Sequence, residues 1–218
     1  MKLLARFLGS SVGRKWLLGA SGLALAGFLV VHLAGNAFLY QGGAAFDAYE
    51  QSLSGAAWLP LAELGLGGLF AFHIVLALVL AQRNAAARPV AYEVRARGRK
   101  RTLGSTTMVY TGLVLLGFLV VHLCDFRIGR WFRTDGTSLS AQVAERLGSP
   151  LGAALYLGGA AVLGLHLSHG VRSTFQSLGA SHPNLNPWLV RAAWAFVVLV
   201  TLGFASFPVY FLVMGGAR

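Results

Sequence analysis

Four of the six histidines in this 218-residue chain stand inside long apolar runs: His32, His73, His122 and His166. His169 shares the run of His166, and His182 lies in the connection that follows it. Two of the runs repeat one heptapeptide, because Gly27-Phe28-Leu29-Val30-Val31-His32-Leu33 is identical to Gly117-Phe118-Leu119-Val120-Val121-His122-Leu123. An ionisable ring in an apolar run is costly and marks function by default. A proton relay usually includes carboxylates, yet Glu63 and Asp125 sit near the ends of their runs and no run centre holds an acid. Imidazole is also an iron ligand. Two imidazoles from opposite sides of a macrocycle are what six-coordinate haem b requires. The plain alternative is four separate histidines, each hydrogen-bonded to a neighbouring helix.

The runs that must position these histidines are membrane spans. The chain is 56% hydrophobic and only 11% charged, against about 25% charge in a soluble domain. Five stretches reach the roughly 20 apolar residues that cross a bilayer: about 16–40, 59–82, 108–126, 151–171 and 188–214. They are continuous, without the alternation of barrel strands, and lipid forces the backbone to satisfy its own hydrogen bonds, so helices are expected. The fold class is therefore all-α: one polytopic domain over 1–218, with a four-helix histidine-bearing bundle and a fifth helix without histidine. The net charge of +11 does not indicate nucleic acid, because the basic residues lie between the runs. Thirteen fall on one side, including Arg14, Lys15, Arg83, Arg172, Arg191 and the stretch from Arg88 to Arg101. Five fall on the other: Arg127, Arg130, Arg133, Arg146 and Arg218. The positive-inside rule then puts the N-terminus in the cytoplasm and the C-terminus outside, with Trp58, Trp131 and Trp188 near the interfaces. The first run is read as a retained helix, since no small-residue cleavage pattern follows it. The single cysteine, Cys124, allows neither an internal disulfide nor a CxxC metal site.

Spacing sorts the histidines by depth. At about 1.5 Å per residue, His32 lies about 25 Å and His122 about 21 Å from the inner edge, while His73 lies about 15 Å and His166 about 9 Å from it. An outer and an inner pair result. His166 and His169 are three residues apart on one helix face, so they cannot ligate opposite sides of one haem. Glycines near the histidines, among them Gly27, Gly35, Gly67, Gly68, Gly117, Gly158, Gly159, Gly164 and Gly170, leave room for a flat macrocycle or for close helix packing.

In order and topology these pieces resemble the five-helix dihaem cytochrome b subunit of succinate dehydrogenase and fumarate reductase. The resemblance covers nearly the whole chain. It rests on Gly13-Arg14-Lys15 with Ala20-Ser21-Gly22, on Val31-His32-Leu33-Ala34-Gly35-Asn36, on Phe72-His73 and on Val121-His122-Leu123. Its strongest stretch runs from Gly164 through His166, His169, Gly170 and Arg172 to Gly179, then His182-Pro183.

The resemblance implies two b haems, the outer held by His32 and His122 and the inner by His73 and His166. The glycine four residues after the fourth-helix ligand selects His166 over His169. It also implies an iron–sulfur subunit and a flavoprotein subunit on the cytoplasmic face of a bacterial inner membrane. The substrate would be a quinone, menaquinone by family habit, and a dimer of the whole complex stays open. Ser21, His169 and Arg172 are candidates for contacts behind the ligands or for the inner propionates, and Arg14 and Lys15 for the propionates. Asn36 is a candidate for a propionate or quinone, or for capping a packing contact, and Glu63 for quinone proton exchange. Arg14 and Lys15 serve equally well as topology signals, and Glu63 as a solvated helix-start acid. His182 reads equally as a partner or quinone contact and as a turn residue. Some members carry a glutamate two residues before the fourth-helix ligand; here that position is Gly164, which puts any proton route through such an acid in doubt. The rivals are a dihaem cytochrome b of another respiratory module, such as a hydrogenase, formate dehydrogenase or nitrate reductase, and a haem-free transporter or structural membrane protein.

Overall fold

Ser10 starts the first long helix. Its hydroxyl accepts from the Gly13 N–H at 3.0 Å, satisfying one of the donors that a helix start leaves open. In the computed structural model, which describes residues 6–7, 9–86, 103–132, 135–180 and 182–215, this helix is α1 (Ser11–Asn36). A 3-10 turn (Ala37–Gln41) and Gly42, at φ +105°, then swing the chain into α2 (Gly43–Ser54). The remaining helices are α3 (Leu59–Ala86), α4 (Leu103–Leu123), α5 (Leu139–Gly148), α6 (Pro150–Ser177) and α7 (Asn186–Gly215). No strand occurs among the described residues.

Five helical stretches, 11–41, 59–86, 107–128, 150–177 and 186–214, are long and apolar enough to cross a membrane. The chain is an all-α multi-pass membrane protein. The helices run several residues past the expected spans, mostly at the inner ends, because polar residues such as Ser11, Arg83 and Ser177 continue a helix once it leaves the hydrocarbon. The basic stretch from Arg88 to Arg101, Lys2, Arg133 and Arg218 lie outside the described residues, as does the side chain of Trp131.

The innermost helix is α6. Its buried face carries Gly152, Ala153, Gly159, Ala160 and Gly164, small residues that let α7, α4 and α1 approach closely. Leu167 packs with Val197 and Val200 of α7 in one apolar cluster. By contrast, α3 buries only Leu80 and leans mainly on α1. Its outward Leu61, Leu64 and Val75 are exposed, as lipid-facing side chains would be.

The two connections read as outer loops, 41–58 and 127–150, contain the short helices α2 and α5. Asp47 of α2 accepts from the Ser140 N–H at 2.9 Å and from its hydroxyl at 2.6 Å, tying the two together across the outer end. Beneath them Leu39, Phe46, Val143, Leu147 and Phe207 form a second apolar cluster. Helix α4 ends in a π turn (Cys124–Ile128), and a side chain at Gly129 would lie 2.5 Å from the Cys124 carbonyl, so this close approach requires glycine.

Candidate functional site

The outer pair meets directly. His32 of α1 and His122 of α4 face each other with ring centroids 5.7 Å apart and planes at 88°. The repeated heptapeptide explains the match. In both helices the phenylalanine four residues earlier, one turn down the same face, stacks on the histidine: Phe28 on His32 at 5.4 Å and Phe118 on His122 at 6.0 Å. The helix without a histidine contributes as well, since Phe204 of α7 lies 5.8 Å from His32. His122 Nδ1 is buried with no hydrogen-bond partner. Such an atom calls for an explanation.

The inner pair is held differently. Ser21 Oγ of α1 lies 3.0 Å from His73 Nδ1 of α3, and Thr111 Oγ1 of α4 lies 3.2 Å from His166 Nδ1 of α6. Ser21 precedes His32 by eleven residues, and Thr111 precedes His122 by the same interval. Eleven residues are three turns, which keeps hydroxyl and histidine on one face and sets the inner level about 16 Å below the outer one. All four histidines are only partly buried.

Thr111 was not among the residues that the sequence reading selected, although the signal lies in the chain. Extending the heptapeptide backwards aligns Ser21-Gly22-Leu23 with Thr111-Gly112-Leu113, and Leu25 with Leu115. Ser21, expected either behind a ligand or near a propionate, lies against His73. A methyl group on Gly22 would lie 3.2 Å from His73 Cε1, and one on Gly112 would lie 3.5 Å from His166 Cε1. These glycines let each ring lie against the neighbouring backbone.

The remaining candidates fall into place around this frame. Asn36 Nδ2 donates to the His32 carbonyl at 2.8 Å and so closes the end of its own helix. His169, three residues past His166, lies beside Arg172. Arg14 donates to the Gly9 carbonyl at 2.6 Å, and Lys15 is exposed. His182 Nδ1 accepts from the Asn184 N–H at 3.3 Å, a local turn contact. Glu63 is paired with Arg127 at 2.8 Å, with both side chains close to half exposed. Pro60, Glu63, Leu64, Gly67 and Gly68 of α3 line one open groove. A second polar group at the outer end was not foreseen. Asp125 accepts from Arg146 at 2.8 Å and from the Tyr156 hydroxyl at 2.9 Å, and the Tyr156 ring lies 6.0 Å from His122.

The glycines divide. Added methyl groups at Gly27, Gly67, Gly68, Gly117 and Gly158 would meet nothing within 4 Å. Gly35, Gly159 and Gly164 are close-packing positions against Tyr49, Phe118 and Thr201, with approaches of 2.7, 2.5 and 2.5 Å, and Gly170 would meet Met108 at 3.5 Å. An acid at position 164 has no room beside Thr201. No family model, curated protein or solved structure matches the chain in comparisons with known proteins.

Proposed function

We propose that this chain is the membrane-anchoring dihaem cytochrome b subunit of a succinate:quinone oxidoreductase. It would pass electrons between an iron–sulfur subunit on the cytoplasmic face and a quinone, with the outer haem on His32 and His122 and the inner one on His73 and His166. The observation that carries this reading is the arrangement of four histidines from four spanning helices at two levels, with His32 against His122, and with His73 and His166 each against a hydroxyl eleven residues before an outer histidine.

The donor set fits the group. Four neutral imidazoles in two pairs are the ligands that two six-coordinate b haems need. In the outer pair, His122 Nδ1 is a buried polar atom without a hydrogen-bond partner. The open space beside Gly27, Gly67, Gly68 and Gly117 is compatible with a bulky planar group among α1, α3 and α4. When bound, each haem supplies reversible one-electron chemistry, whose potential the chain tunes through ligand orientation, hydrogen bonds and burial.

The chain's own residues divide the remaining work. Phe28, Phe118 and Phe204 pack around the outer imidazoles and limit water there. Glu63 lines the open groove on α3, where its carboxylate can exchange a proton with a quinone oxygen while Arg127 holds it in place. The basic excess on the N-terminal side places that end in the cytoplasm of a bacterial inner membrane.

Succinate added to anaerobic membranes containing the complex is expected to reduce the b-type absorption. Reduction by dithionite but not by succinate would assign the chain to another respiratory module.

A further inference from the structure

We infer that Ser21 and Thr111 are matched positioning residues that fix the inner histidines as the Nδ1–H tautomer and leave each Nε2 lone pair as the ligand. The inference rests on the haem reading above for its redox consequence. The tautomer follows from the hydrogen bonds themselves.

A hydroxyl has one hydrogen to donate and two lone pairs that accept. Ser21 Oγ donates to the Leu18 carbonyl of its own helix at 3.0 Å, and Thr111 Oγ1 donates to the Met108 carbonyl at 3.1 Å. Each hydrogen is thus committed to the residue three positions earlier. Towards His73 and His166 the hydroxyls can then offer only a lone pair, so Nδ1 must carry the proton and donate it. With Nδ1 protonated in a neutral ring, Nε2 holds the free lone pair. Gly22, the residue after Ser21, lets the His73 ring lie close enough for this bond, while Gly112, the residue after Thr111, lies in ordinary contact with the His166 ring.

The arrangement occurs twice, on two helices, and both copies lie eleven residues before an outer histidine. The inner pair is therefore built from two equivalent half-sites. Each half-site consists of a hydroxyl and glycine from one helix and a histidine from the next. Among the described residues no hydroxyl contact to either outer ring occurs, and His122 Nδ1 has no partner, so the outer pair lacks the device.

Donation from Nδ1–H raises the basicity of a ligating imidazole. That favours ferric over ferrous iron, so removing the acceptor should raise the potential of the inner haem alone. The test is a redox titration with electron paramagnetic resonance on the intact complex carrying Ser21→Ala, Thr111→Val or Thr111→Ser. Ser21→Ala and Thr111→Val are expected to change the reduced-to-oxidised ratio of one haem about tenfold at fixed potential, or about 59 mV for one electron. They should also shift that haem's ferric signal, leave the other haem unchanged, and be reversed in Thr111→Ser. Unchanged potentials and signals in both variants would overturn the inference. If Thr111→Val loses the inner haem, its retention in Thr111→Ser supports the inference and its loss there overturns it.

Imidazole nitrogen-15 shifts of the histidine-labelled chain read the tautomer whether or not haem binds. Two Nδ1–H rings that change in Ser21→Ala and Thr111→Val would support the assignment. Nε2–H in all the neutral rings would overturn it. A wild-type chain without haem would remove the functional reading and leave the nitrogen-15 result to decide the tautomer.

Discussion

Between the two carboxylates at the outer end, the surroundings differ more than the chemistry. Asp125 is largely covered and accepts from both Arg146 and Tyr156, whereas Glu63 meets Arg127 near the surface. An exposed ion pair contributes about 0.2–1 kcal/mol. Replacing Glu63 with Gln should therefore change the melting temperature in detergent little, while quinone turnover falls at least tenfold if the carboxylate exchanges the quinone proton. Loss of stability with unchanged turnover would make Glu63 a structural acid. Replacing Asp125 with Asn should do the reverse. Arg146 loses its charged partner in a partly covered site, and about 1–2 kcal/mol of stability should disappear from thermal unfolding. At this scale the sequence exposed the histidines well, since an imidazole in an apolar run stands out. It hid their supports, because a serine or threonine in a membrane helix is unremarkable until a neighbouring helix shows what it faces. Only the eleven-residue interval, present in both repeats, carried that information.

The helices that cross the bilayer were legible from apolar length alone, because a span of about 20 apolar residues has no soluble alternative. Helices α2 and α5 were not. They are short and lie in stretches of mixed polarity, and what stabilises them is tertiary: the Asp47–Ser140 contact and the cluster around Phe46 and Val143. The glycines were only half legible, since spacing cannot tell an open face from a close contact. Gly159 is the sharpest case, because a methyl group there would lie 2.5 Å from the Phe118 ring that stacks on His122. Gly159→Ala should force α4 and α6 apart and cost about 1–3 kcal/mol in thermal unfolding, as overpacking of a close contact does. A melting temperature equal to that of the parent would show that Phe118 yields without cost.

For the molecule as a whole, direction across the membrane decides which face would meet the proposed soluble partners. Lys15 and Ala57 are both exposed and lie at opposite ends of the bundle. In a Cys124→Ser background, an impermeant maleimide added to intact cells should label Ala57→Cys and spare Lys15→Cys, and the opposite pattern would reverse the topology. Spacing separated the levels by roughly 6–16 Å, and the hydroxyl contacts now set the separation at about 16 Å. The central claim is that the two levels are two haem sites. The most direct measurement is the haem content of the purified chain together with its reduced-minus-oxidised spectrum. The account predicts a b-type band and about two haems per chain, falling to about one when His32 or His73 is replaced by Ala. A chain that purifies folded without b-type absorption, or that keeps both haems after either replacement, would contradict it.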